Sequence, residues 1–350
     1  MIGTELLKGQ GLGNQLFCYV TARAIAKERG CSFGTAGADT LVHNIHDNSG
    51  MYFMDLDLGE IIADSDIGRY QRFDDDDTRI YNGSSWHDIH HGAYVSGAKE
   101  SIHEVADDTL LYGNLQDESY FSRYADEIGE WLKVKPEYDT HQYTADDLCI
   151  IHLRCGDYMN EPGLFLSRRY WMNGVKNMRS VNPDMRFLVI TDEVENAKKI
   201  LPEFEAVTND IGTDYAIIKN ARYLLLANSS FAVFPAMTNK ELKLAIAPKY
   251  WARHNVSDGY WASEQNIYSF LTYQDRKGKL FSAEECRKEL AEYKSRSRRY
   301  KKRNTKPTGV TLLLMNLESR AMILSYYGVR AIRSLARRMG LVRSWRAEGS

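Results

Sequence analysis

The chain has 350 residues, 43% of them hydrophobic and 26% charged, with 45 Lys+Arg against 47 Asp+Glu. These values fit a globular protein of about two domains and exclude a disordered, collagenous or low-complexity chain. Cys18, Cys31, Cys149, Cys155 and Cys286 form no C-x-x-C pair, which points to a reducing compartment, and the first eight residues lack the pattern of a signal peptide.

In chain order, Glu5 to Leu7 reads as a short strand, followed by the turn G-Q-G-L-G at Gly9 to Gly13. Asn14 is placed to cap a helix whose apolar positions Leu16, Phe17, Val20, Ala24 and Ile25 recur at helical spacing, and Gly30 ends it. Residues 34 to 118 show no long periodic stretch. Ser119 to Val134 reads as a helix, and polar Pro136 to Asp147 as a linker. Beyond it, strand and helix alternate. Strands are expected at Leu148 to Leu153, Arg186 to Thr191, Phe204 to Val207 and Leu242 to Ala247. Helices are expected at Arg169 to Ser180, Glu193 to Leu201, Tyr215 to Ala227 and Phe231 to Thr238. That alternation is the signature of a doubly wound parallel sheet, whose ligands sit beyond the carboxyl ends of the strands. His152 to Asp157 and Thr191 to Glu193 occupy such ends.

Charge divides the chain. Residues 286 to 350 hold 17 Lys+Arg and 4 Asp+Glu, leaving the other 285 residues with 28 against 43. An acidic body argues against nucleic-acid binding. The basic tail suits an anionic surface: a polar run from Ser295 to Lys306, then apolar residues interleaved with Arg330, Arg333, Arg337 and Arg338. Such a tail either lies peripherally on a membrane through residues 295 to 350 or packs on the body or another subunit. No run reaches the ~18 apolar residues of a membrane span.

Three segments carry chemistry. Gly9 to Phe17 (G-Q-G-L-G-N-Q-L-F) brings backbone amides and a helix N-terminus to one place, either a tight turn or an anion site. It lacks the G-x-G-x-x-G spacing and the G-K-[ST] ending. In His152 to Tyr158 (H-L-R-C-G-D-Y), Arg154 ends a buried strand and needs an anion, either Asp157 or a phosphate. Cys155 beside a cation could be a nucleophile, but His152 points to the opposite face of the strand. Asn228 to Phe231 (N-S-S-F) opens a helix with hydroxyls and amides, either as a simple cap or as an anion site. The acidic run Asp74 to Asp77 reads as a solvated loop, the group His87, His90 and His91 as a solvated surface cluster, and D-x-D at Asp55 to Asp57 and Asp64 to Asp66 as coincidence in an acidic half.

Taken together and in this order, the segments resemble the alpha-1,2-fucosyltransferases, glycosyltransferase family 11. Gly9 to Phe17 resembles that family's G-G-L-G-N-Q-[ML]-F, and His152 to Tyr158 its H-[IV]-R-R-G-D-Y, with Cys155 in place of the second Arg. Thr191 to Glu193 resembles its [ST]-D-[DE]. Ala227 to Pro235 resembles its A-N-S-[ST]-F-S-W-W, with Val233-Phe234-Pro235 where the tryptophans stand. Asn114 to Phe121 and Ala245 to Trp251 match two further motifs, so the likeness runs from about residue 8 to 252. It implies an α/β glycosyltransferase B-type fold of two Rossmann-like domains facing a cleft. Residues 1–146 form the acceptor side, 147–285 bind GDP, and 286–350 form the basic, partly amphipathic tail. It further implies inverting transfer of L-fucose from GDP-fucose to a galactose of a surface polysaccharide or lipid-linked oligosaccharide, with no essential metal or other cofactor. Arg154 would stabilise the leaving diphosphate. Gly11, Gly13, Asn14, Gln15, His152, Asp157, Asp192, Asn228, Ser229, Ser230 and Phe231 would contact the donor, with His152 and Asp192 near guanine or ribose. The alternatives are the same fold using another nucleotide sugar, or a carbohydrate- or nucleotide-binding protein without turnover. The expected location is cytoplasmic, with or without contact at the inner face of the membrane.

Overall fold

Strands of three or four residues, too short to show a period, build the first sheet. A computed structural model describes residues 1–41, 52–75, 98–160, 165–249, 264–275, 277–296 and isolated positions between 309 and 339. Ile2–Glu5 (β1), Phe33–Ala36 (β2), Glu60–Ile62 (β3), Gln71–Asp74 (β4) and Thr109–Tyr112 (β5) form a parallel sheet of order β3-β2-β1-β5-β4. The helix Leu12–Arg29 (α1) crosses from β1 to β2 and buries Leu16, Phe17, Val20, Ala24 and Ile25. It ends at Gly30, at φ 67°, whose N–H returns to the carbonyl of Lys27. Gly11, not Asn14, is its N-cap: the Gly11 carbonyl accepts from the amides of Asn14 at 3.0 Å and Gln15 at 3.2 Å. The expected helix from 119 to 134 is broken instead into two 3-10 turns, Glu118–Tyr120 and Ser122–Tyr124, and a short helix Ala125–Trp131 (α2). Asp117 causes the first break, because its carboxylate takes the Ser119 amide at 3.0 Å.

The second sheet has seven strands: Leu148–Leu153 (β6), Arg186–Thr191 (β7), Glu205–Val207 (β8), Tyr223–Leu226 (β9), Leu244–Pro248 (β10), Thr272–Gln274 (β11) and Leu280–Phe281 (β12). Their order is β12-β11-β10-β9-β6-β7-β8, parallel throughout except for the β11–β12 pair. One expected element is corrected here. The stretch 215 to 227 is not one helix: the helix Ile211–Asn220 (α5) stops and β9 follows. The Asn220 side chain is held by Asp139 at 2.8 Å and by the Thr140 carbonyl at 2.9 Å, and Ala221 is extended. Tyr223 to Leu226 is buried on both faces, and a fully buried strand has no alternation to betray it.

Even-numbered side chains of β6, among them Ile150 and His152, face the side of the sheet covered by α5. Odd-numbered ones, Cys149, Ile151 and Leu153, face the helices Arg168–Val181 (α3) and Val194–Ile200 (α4). The expected α/β class with two Rossmann-like domains is therefore the one adopted. A single apolar cluster runs through the seam between them. Phe17 of α1 lies 4.6 Å, centroid to centroid, from Phe234 in the short helix Val233–Met237 (α6), and Phe121 lies 5.6 Å from the same ring. Phe234 thus fills the core between the sheets.

Segment 264–274 returns to the first domain before joining the second sheet. Gln265 donates to Asp75 at 2.8 Å, Asn266 to Gln116 at 2.9 Å, and the Ser269 amide to Glu118 at 2.9 Å. Asp75, expected in a solvated acidic loop, is instead buried. Tyr120 donates to it at 2.6 Å and the Leu115 amide at 3.1 Å, which offsets the cost of burying its charge. Asp57 of the first D-x-D pair takes the Gly59 amide and faces Arg23, a turn arrangement. Residues 76 to 97, with the histidine group, lie outside the described set. The closing helix Ala283–Arg296 (α7) spans the expected start of the tail. It buries Cys286 and Leu290, and Arg287 donates to Glu118 at 2.7 Å. No helix among the described residues is long and apolar enough to cross a membrane.

Candidate active site

Both halves of the chain meet where β6, β7 and β9 end. After Leu153 the backbone leaves the sheet, and Arg154 projects with its side chain about a fifth exposed. Its guanidinium Nη1 lies 2.8 Å from Oδ2 of Asp192, the residue after β7. Asp192 is itself fixed, because Oδ1 accepts the Cys155 amide at 2.8 Å. A side chain at Gly156 would press on the Asp192 carboxylate, so glycine lets the 154–157 turn close on it without moving that side chain. The sequence offered Asp157 as the anion for Arg154 within the protein; the observed ion pair is with Asp192. The side chain of Asp157, and residues 161 to 164, lie outside the described set.

His152 is buried beneath this turn, its ring 5.8 Å from that of Phe231. Burial, aided by the Arg154 guanidinium, pushes it down to about 3, so it is neutral at physiological pH. Its Nδ1 has no hydrogen-bond partner among the described residues. Cys155 lies in the opposite cluster, and burial pushes its thiol up to about 12. A Cys/His nucleophile pair is therefore absent, as their opposite faces on the strand require.

The turn after β9 completes the floor. The Ala227 amide donates to the His152 carbonyl at 3.0 Å, and the Tyr158 hydroxyl donates to the Asn228 carbonyl at 3.1 Å. Asn228 and Ser229 are buried, and Ser229 precedes the 3-10 turn Ser230–Ala232 without capping it by its side chain. The N-terminus of α1 abuts this turn. At Gly13 a Cβ would land on the Phe231 nitrogen and the Ser230 carbonyl carbon, and 2.6 Å from the Phe231 Cα. Gly13 is thus glycine because two backbones touch there. Gly11 faces open space. The first amides of α1 have no partner four residues back, so they point out of the helix beside the Ser229–Phe231 turn.

Asn14 and Gln15 divide. Gln15 is buried and donates to Thr40 at 3.1 Å, while its Oε1 lacks a partner among the described residues. Asn14 Oδ1 accepts from Gln116 at 3.0 Å, and Gln116 accepts from Asn266 at 2.9 Å, an amide chain across the seam. Leu115, at φ 50°, turns the backbone so that Gln116 reaches Asn14. Asp75, Gln116, Gln265 and Asn266 were not legible as site neighbours, since their partners lie 40 to 190 positions away. Gln116 does sit in the motif at Asn114 to Phe121, which was the available signal.

Asp214, half-buried on the first turn of α5, adds a titrating group. Burial pushes its carboxyl up to about 7, helped by the negative charges of Asp210 and Asp192 and opposed by the hydrogen bond from Asn209. The unfolded carboxyl titrates near ~3.9, so between the two values the folded chain binds a proton that the unfolded chain lacks. Stability from this group is full at low pH and is lost as pH rises through about 7. Asp214→Asn is therefore expected to melt at a higher temperature than the parent at pH 8 and to match it at pH 4. A constant gap across that range in thermal melts would contradict the assignment.

No family model matches the chain. It is 22% identical over 268 residues to the alpha-1,2-colitosyltransferase of Escherichia coli, covering 69% of this chain and 89% of that protein. Among solved structures it is similar to the alpha-1,6-fucosyltransferase NodZ from Bradyrhizobium, at 11% identity and a TM-score of 0.39 over 68% of this chain and 92% of that one. It is similar also to the heptosyltransferase WaaC of E. coli, at 8% identity and a TM-score of 0.37 over 83% and 100%.

Proposed function

We propose that the chain is an inverting glycosyltransferase that takes its sugar from a GDP-linked donor, with L-fucose as the sugar and a galactose 2-hydroxyl of a surface glycan or lipid-linked oligosaccharide as acceptor. One observation carries the reading: the opening of α1 and the Ser229–Phe231 turn, 217 positions apart, touch backbone to backbone at Gly13 beside the Arg154 turn. Three anion-suited features thereby share one place: a guanidinium, outward-facing helix amides and a serine-rich turn. The family resemblance and the colitosyltransferase relative support the donor class.

Breaking a sugar–phosphate bond builds positive charge on the ring and negative charge on the departing diphosphate. Donors already aimed at that oxygen stabilise the transition state most, since they need not reorganise. Arg154 fits that role. Asp192, itself fixed by the Cys155 amide, orients it through Nη1, and a planar guanidinium fork suits phosphate oxygens. The reading places the positive charge on the protein and asks for no metal. The ring of Phe231, with His152 buried near it, offers an apolar surface for the nucleoside. Five free thiols accord with a cytoplasmic location.

A second reading keeps the donor nucleotide and changes the sugar to colitose, which the E. coli relative's name favours. Thermal shift tests the nucleotide. GDP at a hundred times its dissociation constant should add ~2.7 kcal/mol of stability, and UDP at the same concentration should add little. Transfer from GDP-fucose or GDP-colitose then decides the sugar. A chain that neither nucleotide stabilises does not have this function.

A further inference from the structure

Beyond the catalytic reading, we propose that the C-terminal tail is a docking element for an anionic lipid bilayer, which it meets with an exposed apolar face. Val310, Leu313 and Leu317 are helical, spaced by three and four, and 72%, 59% and 53% exposed. Ile332, Leu335 and Met339 repeat the spacing at 68%, 57% and 57% exposure, with the first two helical. Residues three and four apart lie on one side of a helix, so Val310, Leu313 and Leu317 share a face, as do Ile332 and Leu335, and these apolar side chains are turned to solvent. Elsewhere among the described residues, large exposed apolar side chains are scattered singly, at Leu7, Ile61 and Val181.

The charge pattern selects the occupant. Residues 286 to 350 carry 17 Lys+Arg against 4 Asp+Glu, so the exposed apolar side chains belong to the most basic part of the chain. Exposed apolar side chains in a basic segment match a surface that offers hydrocarbon below and negative charge above, which is an anionic bilayer interface. The acidic body of a second copy offers the charge without the apolar layer.

The test uses the full chain and its Leu313→Glu/Leu335→Glu variant, sedimented with vesicles of phosphatidylcholine alone or with added phosphatidylglycerol. The parent should bind the phosphatidylglycerol vesicles at least ~10-fold better than the neutral ones, and less well as salt is raised. The variant should lose that preference while keeping the parent's melting temperature, since both leucines are exposed. Equal binding to both vesicles, or binding unchanged in the variant, overturns the proposal. So does light scattering that shows the parent self-associating and the variant monomeric, because the apolar face is then covered by a second copy.

Discussion

Arg154→Ala should lower turnover of the GDP-sugar by about 10²–10³-fold, the ~3–4 kcal/mol typical of losing one preorganised donor to a developing anion. The loss should fall on kcat, because the charge on the leaving diphosphate is greatest in the transition state. The guanidinium is also the ion-pair partner of Asp192, at 2.8 Å, and both side chains are about a fifth exposed. Removing it leaves a carboxylate still bonded to the Cys155 amide and reached by water, at a cost of about 1 kcal/mol in stability. Arg154→Lys separates the two effects. Lysine keeps a charge opposite Asp192 but has no planar fork to grip both carboxylate and phosphate. The lysine variant should therefore melt near the parent and remain slow. Parent-like turnover in either variant, measured by GDP release, would remove Arg154 from the chemistry.

Gly13→Ala should strongly destabilise the protein. The added carbon has no room to relax into, because its neighbours are the backbone of Ser230 and Phe231 and not a movable side chain. Overpacking of this kind costs about 1–3 kcal/mol, and here the strain falls on the seam where α1, Phe17 and Phe234 meet. Turnover should drop with stability, since the Ser229–Phe231 turn is pushed from the α1 amides. Gly11→Ala, two residues earlier, is the control. That position faces open space at φ −68°, so alanine fits and should shift stability by less than about 1 kcal/mol. Equal melting temperatures for the two variants would show that the Gly13 contact does not hold the seam.

Much of the second domain was legible because its strands are long and its helices periodic. Leu148–Leu153 and Arg186–Thr191 stand at the positions their apolar runs indicate. Strand Tyr223–Leu226 was not, since an unbroken apolar run after an apolar helix carries no change of period. The first domain hid for a different reason: its strands have three or four residues, and their pairing is decided by partners far along the chain. Among the site residues, the sequence pointed to Arg154 and to its need for an anion. It did not point to Asp192 as an anion within the protein, because Asp157 stands close by in sequence while Asp192 follows a different strand. Asp75 was misread for the same reason. An acidic run looks solvated until Tyr120 and Gln265 are seen to fold over it.

The most direct measurement is a crystal structure of the protein soaked with GDP. The account predicts the diphosphate within hydrogen-bonding distance of the Arg154 guanidinium, between the amides opening α1 and the Ser229–Phe231 turn. GDP bound elsewhere, or a diphosphate out of reach of Arg154, would contradict it.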